Sequence, residues 1–158
     1  MSNRSESVRP VVEAPTLTIA RVSRLLESNT TTDLTLPQYR VLGLLSLGDE
    51  RATLLAARLT VAKPTLTSLV DSLVERRYVA RESSDGDRRA VRLSITAAGR
   101  AALAEAEEHL GRIFDEVLAC SDDRDAILAA IQQLGQALDR RWTAVRAAAS
   151  DGTAEPAR

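Results

Sequence analysis

The chain has 158 residues, of which 44% are hydrophobic and 27% charged, a composition typical of a soluble domain with a core. Only 3% of the residues are aromatic, which favours a core of aliphatic side chains and disfavours a surface that stacks single-stranded bases. One cysteine and one histidine exclude an internal disulfide and argue against a Cys/His zinc site within one chain. We therefore expect no metal and no cofactor.

The start of the chain and its hydropathy bear on location. The first fifteen residues are polar and lack the apolar segment of a secretion signal, and no apolar run reaches the length of a membrane span. A single cysteine also fits a reducing compartment. We expect a cytoplasmic protein with no membrane partner.

The charge is distributed unevenly along the chain. The formal net charge is only −1, but residues 58–100 carry nine basic and five acidic side chains, whereas the residues from 101 onward carry six basic and eleven acidic ones. A basic middle beside an acidic end is typical of a patch that binds a polyanion. Charge alone does not separate this interpretation from ordinary surface scatter.

The first half of the chain reads as helices. Residues 1–14 lack periodicity and read as a disordered arm. A first helix is expected over residues 15–28, followed by a Thr-rich loop to residue 34. A second helix runs to about Leu47, because Thr35 and Gln38 have the spacing of a capping box and Gly48 closes the segment.

The next segment reads as a helix-turn-helix. A minimal strand is expected near residues 51–53, with Thr53 as the cap of a short helix over residues 54–59. After a turn at residues 60–62, a fourth helix runs to about Arg77. Its apolar residues recur at helical spacing on one face, which leaves small polar side chains and Lys63 on the other.

The periodicity then changes from helix to strand. Residues 78–83 and 90–96 alternate between apolar and polar, and the segment between them, residues 84–89, is charged and contains a glycine. This pattern predicts a β-hairpin with Asp87, Arg88 and Arg89 near its tip. Arginines on a thin ribbon are suited to a DNA minor groove, and neighbouring carboxylates hold a guanidinium in place.

Two long helices complete the chain. Thr96 is expected to cap a fifth helix from Ala97 to about Ala119, and Ser121 a sixth. Apolar residues recur along the sixth helix at spacings of three and four, which makes one apolar seam. The last residues, 150–158, read as a frayed tail.

The fold class that follows is mainly α with a small β-hairpin. Residues 35–96 are expected to form a winged helix-turn-helix, with the helical residues 15–34 and 97–149 on either side of it. A polar face of small side chains on the fourth helix is able to enter a major groove and bond to base edges. Any helical hairpin exposes a polar face, so the wing that follows it carries the argument for DNA.

Four stretches match a known pattern. They are Leu-Ala-Ala-Arg-Leu at 55–59, Lys-Pro-Thr-Leu-Thr-Ser-Leu-Val-Asp-Ser-Leu at 63–73, Asp-Gly-Asp-Arg-Arg at 85–89 and Leu-Ser-Ile-Thr-Ala-Ala-Gly at 93–99. At these residues the chain resembles the MarR family of bacterial transcriptional regulators, over about residues 16–148. The resemblance implies a homodimer that acts as a repressor on a pseudo-palindromic site in double-stranded DNA. It makes residues 15–34 and 97–149 a helical dimerisation region, whose predicted interface residues are Leu17, Leu128, Ile131, Leu138, Trp142 and Val145.

The resemblance also implies roles for individual residues. Asp71 and Arg81 are candidates for a supporting pair at the base of the wing. Tyr39, Arg40 and His109 are candidates for a pocket that binds a small anionic aromatic effector. The residues it places against DNA are Lys63, Thr65, Thr67, Ser68 and Ser72 on the fourth helix, and Asp87, Arg88 and Arg89 on the wing.

The chain departs from the family pattern at three places. Ala62 replaces the usual serine cap of the fourth helix, a loss of about 0.5–2 kcal/mol that Thr65 is placed to offset in part. Arg77 replaces the glycine that usually ends this helix, so it must adopt another geometry or a strained left-handed one. Ser68 and Ser72 replace arginines, so binding should depend more on the wing.

The remaining observations leave alternatives open. Cys120 is a redox sensor or, as its acidic surroundings favour, a buried or inert residue. His109 is a surface or interface residue or part of the effector pocket. No catalytic constellation or phosphate loop is present, so no enzyme is expected. The alternative function is a winged helix that binds another protein and has no DNA target.

Overall fold

The computed structural model describes residues 14–30, 33–48, 50–84 and 87–151. Within these ranges the chain forms six helices and three strands. In chain order they are α1 (Pro15–Ser28), α2 (Leu36–Ser46), β1 (Glu50–Arg51), α3 (Ala52–Leu59), α4 (Lys63–Glu75), β2 (Val79–Ser84), β3 (Asp87–Ile95), α5 (Ala97–Leu118) and α6 (Arg124–Asp151). The mainly helical fold with a small antiparallel hairpin is confirmed. Within the described part of the chain, no helix is long and apolar enough to cross a bilayer.

The hairpin extends further toward its tip than the sequence pattern predicts. Strand β3 lies between β1 and β2, and both neighbours run antiparallel to it. Val79 pairs with Ile95, and the ladder continues with one irregularity to the pair Ser84 and Asp87. The sequence interpretation placed residues 84–89 in a turn, which is wrong for Asp87, Arg88 and Arg89 because they lie on β3. Charged residues obscured the alternation there, whereas backbone pairing continues whatever the side chains are.

The core is aliphatic, as the composition predicts. Its most completely buried side chains come from α2, α3, α4 and β3, and they bring the helix-turn-helix and the hairpin onto one cluster. They include Val41, Leu42, Leu55, Leu73 and Leu93. Burial of each such side chain stabilises the fold by roughly 1.5–3 kcal/mol, so this cluster holds α4 at a fixed place on the surface.

Two of the predicted helix caps are confirmed. The Thr35 side chain accepts a hydrogen bond from Gln38 N, and the Gln38 side chain accepts one from Thr35 N, which completes the capping box. Thr96 Oγ1 accepts from Gly99 N at 3.0 Å at the start of α5. Each such cap satisfies backbone donors that have no partner inside the helix.

The other two predicted caps are wrong. Helix α3 begins at Ala52, directly after the extended residue Arg51, so Thr53 lies within the helix. The chain passes from β1 into α3 without an intervening residue, and no side chain caps this helix. At the start of α6, Ala126 N donates to Asp123 Oδ1 at 2.9 Å, whereas Ser121 Oγ accepts from Asp123 N.

Both helices of the helix-turn-helix end on a left-handed residue that is not glycine. Thr60 has a φ of 57° and Arg77 a φ of 60°. After α4, Arg77 N donates to Val74 O and Tyr78 N donates to Leu73 O, which is the hydrogen-bond pattern of a Schellman motif. This conformation costs an ordinary residue roughly 1–2 kcal/mol. The left-handed alternative for Arg77 is the one that the chain adopts.

Helices α1 and α6 are packed far less than the others. No residue of α1 is buried. Large apolar side chains on both helices are exposed, among them Leu17 (51%), Ile131 (44%), Leu134 (47%) and Leu138 (57%). Val145 lies on α6, but its side chain is outside the described residues. The exposed side chains of the apolar seam therefore lie outside the core of their own chain, whereas Leu128 and Trp142 are half-buried.

Candidate nucleic-acid interface

Helix α4 buries one face and presents a shallow groove on the other. Leu66, Val70 and Leu73 are buried against the core. The groove is lined by Pro64, Thr67, Ser68, Asp71, Ser72 and Glu75. The lining side chains are short or polar, which allows the helix backbone to approach a base edge closely.

The residues of α4 that are predicted to contact DNA differ in their exposure and in their hydrogen bonds. Lys63, Thr65 and Ser68 are exposed. Thr67 is also exposed, but its Oγ1 donates to Lys63 O at 3.0 Å within the helix. Ala62 stands at the N-cap without a side-chain hydrogen bond, in agreement with the missing serine. The side chains in the first turn of α4 are thus accessible.

Ser72 differs from the other hydroxyl residues because it is half-buried and already hydrogen-bonded. Its Oγ lies 3.1 Å from Gln38 Nε2, which donates to it. Ser72 also lines the groove. It therefore faces the buried Gln38 on one side and, on the other, the groove-lined surface of α4, which we call the reading face. No pattern in the sequence indicates this contact, because Gln38 lies 34 residues away and its capping role already accounted for it.

An ion pair joins α4, the predicted recognition helix, to the β2–β3 hairpin, which is the wing. Arg81 Nη2 on β2 lies 2.5 Å from Asp71 Oδ1 on α4, and both side chains are partly exposed. The supporting pair suggested by the sequence is therefore present. Exposed pairs contribute little stability, about 0–1 kcal/mol, so its main consequences are geometric and electrostatic. It offsets a carboxylate that would otherwise repel phosphate from the groove.

Arg76 makes a second connection that sequence reasoning missed. It follows the last residue of α4, and its guanidinium donates to the backbone carbonyl of Asp33 and lies 3.2 Å from the Asp33 carboxylate. It also donates to Tyr78 Oη at 3.2 Å and lies 4.6 Å from the centre of the Tyr78 ring. Arg76 thus ties the end of α4 to the segment before α2 and to the base of the wing. The only local signal was an arginine two residues before a tyrosine.

The wing residues are placed by their backbone. Asp87, Arg88 and Arg89 lie at the start of β3, at the end of the hairpin far from the core. Their side chains are outside the described residues, as are residues 85 and 86 altogether. The assignment of these three residues to DNA contact therefore stays a prediction.

A cleft lies between the helix-turn-helix and α6. It has a volume of about 680 Å³ and its walls include Tyr39, Arg40, Arg58, Arg141 and Trp142. Arg58 on α3 forms an ion pair with Asp139 on α6 at 3.1 Å. Leu138 lines the same cleft. Two residues predicted for the dimer interface, Leu138 and Trp142, therefore also border a space within one chain.

Tyr39 has a perturbed ionisation in this cleft. Burial raises the pKa of its phenol above the ordinary value of 10.0, and the carboxylate of Glu107 raises it further. The phenol therefore stays protonated at neutral pH. It offers a neutral hydrogen-bond donor in a cleft that Arg40 and Arg58 also line.

His109 and Cys120 lie outside this cleft. His109 is half-buried on α5, and its Nε2 lies 2.7 Å from Asn29 O at the end of α1. It is not among the residues that line the cleft with Tyr39 and Arg40. Cys120 is exposed, which contradicts the interpretation as a buried residue, and its thiol donates to Glu116 O at 3.5 Å.

Comparison with known proteins identifies the architecture. The sequence model of the MarR family matches residues 32–90. The HTH-type transcriptional regulator YpoP of Bacillus subtilis (strain 168) is 31% identical over 105 residues, which are 66% of this chain and 73% of YpoP. The crystal structure of the transcriptional regulator BldR from Sulfolobus solfataricus has a TM-score of 0.64 at 26% identity, with coverage of 77% of this chain and 91% of BldR.

A further solved structure is that of a protein on DNA. The transcriptional repressor CouR, bound to a 23-mer DNA duplex, has a TM-score of 0.65 at 26% identity, with coverage of 78% of this chain and 91% of CouR. The order of elements, the polar-faced α4 and the hairpin behind it agree with these matches. The chain belongs to the MarR family of winged-helix transcriptional regulators.

Proposed function

We propose that the chain acts as a homodimeric repressor, with α4 in the major groove and the wing in the adjacent minor groove of a pseudo-palindromic operator. The observation that carries this proposal is the groove of short polar side chains on α4 beside a hairpin with two consecutive arginines. The similarity to CouR, a repressor bound to a DNA duplex, supports the same mode of action.

The charges on α4 indicate how much α4 and the wing each contribute to DNA affinity. The groove contains two carboxylates, Asp71 and Glu75, and no cationic side chain among its lining residues. Lys63 at the start of the helix is the nearest positive charge on α4 itself. Phosphate contacts supply most of the affinity of DNA-binding proteins. Arg88 and Arg89 on the wing therefore contribute more to binding than the recognition helix does.

Replacement of Arg88 and Arg89 together by alanine tests this division. A dimer loses four cationic groups, so we expect affinity for a selected duplex to fall about 10²-fold or more. The slope of log K against log salt should become shallower by about 2 to 4. The duplex is one that the wild-type chain selects from a random-sequence pool, and binding is measured by fluorescence anisotropy over a range of salt concentrations.

The matched control removes the same charge from residues outside α4 and the wing. Arg112 and Arg124 are exposed and form ion pairs on α5 and at the start of α6. Their double replacement by alanine should leave both affinity and salt slope close to wild type. Equal losses in the two double variants would contradict a specific role for the wing. The absence of any selected duplex would instead favour a protein-binding winged helix.

We further propose that the cleft binds a small anionic aromatic effector that releases DNA. Tyr39 and Trp142 offer ring surfaces, and Arg40, Arg58 and Arg141 offer guanidinium groups that pair well with a carboxylate. The carboxylate of such a ligand would compete with Asp139 for Arg58. Loss of that ion pair would loosen the connection between α3 and α6. The spacing of the two winged helix-turn-helix regions in the dimer would then change.

Arg58→Gln tests the effector site. A hydrogen bond to a charged group is worth about 1.5–3 kcal/mol, so the variant should bind benzoate and related arene carboxylates at least about tenfold more weakly than wild type. Calorimetric titration measures the binding, and release of a selected duplex measures its consequence. Benzamide, which has the same ring without the charge, is the control ligand. If benzamide binds as tightly as benzoate, or if Arg58→Gln binds both normally, the cleft does not recognise anions.

A further inference from the structure

Gln38 is a buried polar side chain that the proposed function does not yet use. Its exposed fraction is 8%, and among the described residues it is the one polar side chain in the buried class. Both ends of its amide are engaged. Oε1 accepts from Thr35 N at 3.0 Å, and Nε2 donates to Ser72 Oγ at 3.1 Å. One amide therefore connects the start of α2 to the reading face of α4.

The orientation of this amide is fixed by chemistry. A backbone N–H is only a donor, so the atom of Gln38 that faces Thr35 N must be the carbonyl oxygen. The amide nitrogen must then face Ser72, where it donates a hydrogen bond to the hydroxyl oxygen. Because a hydroxyl carries a single hydrogen, the hydrogen of Ser72 is directed away from Gln38.

The position of Ser72 gives this polarity a consequence. Its other side lines the groove of α4, together with Ser68 and Asp71. A hydroxyl that accepts one hydrogen bond becomes a stronger donor for the next. Base edges in the major groove differ in their donors and acceptors: guanine offers O6 and N7, thymine O4 and adenine N7, whereas cytosine offers an amino group.

We propose that Gln38 is a specificity-determining residue that acts through Ser72. It holds the Ser72 hydroxyl as a hydrogen-bond donor toward DNA, so that Ser72 prefers an acceptor on a base edge to the amino group of cytosine. Gln38 does not contact DNA and is a positioning residue. This inference rests on the proposed function, in which α4 enters the major groove.

Gln38→Glu is the decisive variant. The carboxylate still accepts from Thr35 N, but it has no hydrogen to donate to Ser72. The Ser72 hydroxyl then turns its own hydrogen inward to the carboxylate and presents a lone pair to the groove. We expect the variant to lose, on the order of tenfold, the preference of the wild type at one base pair in each half-site.

The measurement compares base preferences, which a change in stability does not alter. Affinity is determined for the duplex selected by the wild-type chain and for its single base-pair replacements. Ser72→Ala should lose the preference at the same base pair, and the double variant Gln38→Glu/Ser72→Ala should lose no more than either single variant. Thr35→Ala is the control, because it weakens the cap of α2 but leaves the Gln38 amide in place.

The outcomes separate this inference from the proposed function. An unchanged preference in Gln38→Glu, additive losses in the double variant, or a changed preference in Thr35→Ala would each overturn the role of Gln38. If Gln38→Glu does not fold, Gln38→Met takes its place, and its preference at the same pair should relax; retention of that preference overturns the inference. If the wild-type chain selects no duplex at all, the proposed function fails and this inference fails with it.

Discussion

Gly99→Ala is expected to lower the free energy of unfolding by about 3 kcal/mol, at the upper end of the usual cost of an overpacked site. A Cβ atom at this position would lie 2.2 Å from Tyr78 O and 2.9 Å from Ile95 Cγ1. The first of these atoms belongs to the backbone and is held in place, because it accepts hydrogen bonds from Thr96 N and Thr96 Oγ1. Relief of the clash would require the cap of α5 to move.

Gly111→Ala on the same helix is the matched control. No atom lies within 4 Å of a Cβ built at Gly111. Alanine is favoured over glycine inside a helix by roughly 0.5–1 kcal/mol, so this variant should be slightly more stable than wild type. Denaturant-induced unfolding, followed by circular dichroism, measures both changes. Effects of the same sign and size in the two variants would contradict the clash at Gly99.

The second large effect is expected from Ile131→Asp on α6. We propose that the exposed apolar side chains of α1 and α6 pack against a second copy of the chain. A carboxylate placed in that interface would have to lose its hydration without a partner, which costs several kcal/mol. We expect the variant to be monomeric at micromolar concentrations by analytical ultracentrifugation.

The loss of the dimer should also weaken DNA binding. Two linked DNA-binding regions bind a duplex about 10²–10⁴-fold more tightly than one region does, because the second contact is intramolecular. Ile131→Asp should lose an enhancement of this size. Gln133→Asp introduces the same aspartate at an exposed position two residues away and should retain the enhancement. A monomeric variant that binds the selected duplex as tightly as wild type would contradict the need for two DNA-binding regions. If Ile131→Asp remains a dimer, the interface lies elsewhere.

The sequence predicted the features that depend on local patterns. The helices and the hairpin appear in the expected order, because periods of 3.6 and 2 are set by neighbouring residues. The capping box of Thr35 and Gln38 was recognisable from a spacing of three residues. The errors at Thr53 and Ser121 also concern local signals: α3 begins without a side-chain cap, and Asp123, two residues after Ser121, caps α6.

The features that sequence reasoning missed depend on contacts between distant residues. Gln38 and Ser72 are 34 residues apart, and Arg76 and Asp33 are 43 apart. No periodicity relates such residues, and each has an unremarkable local role as a cap or a surface charge. The resemblance to the MarR family suggested Tyr39 and Arg40 for a pocket, whereas Arg58, Arg141 and Trp142 were not predicted there, because the walls of the cleft come from three separate helices. The base-reading residues on α4 and the wing remain predictions that DNA-binding measurements must test.

The connections between α4 and the wing have a consequence for operator geometry. Arg81 bonds to Asp71, Arg76 bonds to Tyr78, and Tyr78 N closes the end of α4 on Leu73 O. Three bonds of different kinds thus join the end of α4 to the base of the wing over a few residues, so we expect these two elements to move together. In the proposed dimer, any adjustment to the distance between half-sites, about one turn of DNA, would then come from the helices that join the two protomers. Tolerance of operator spacing should therefore depend on α1, α5 and α6 and not on the unit formed by α4 and the wing.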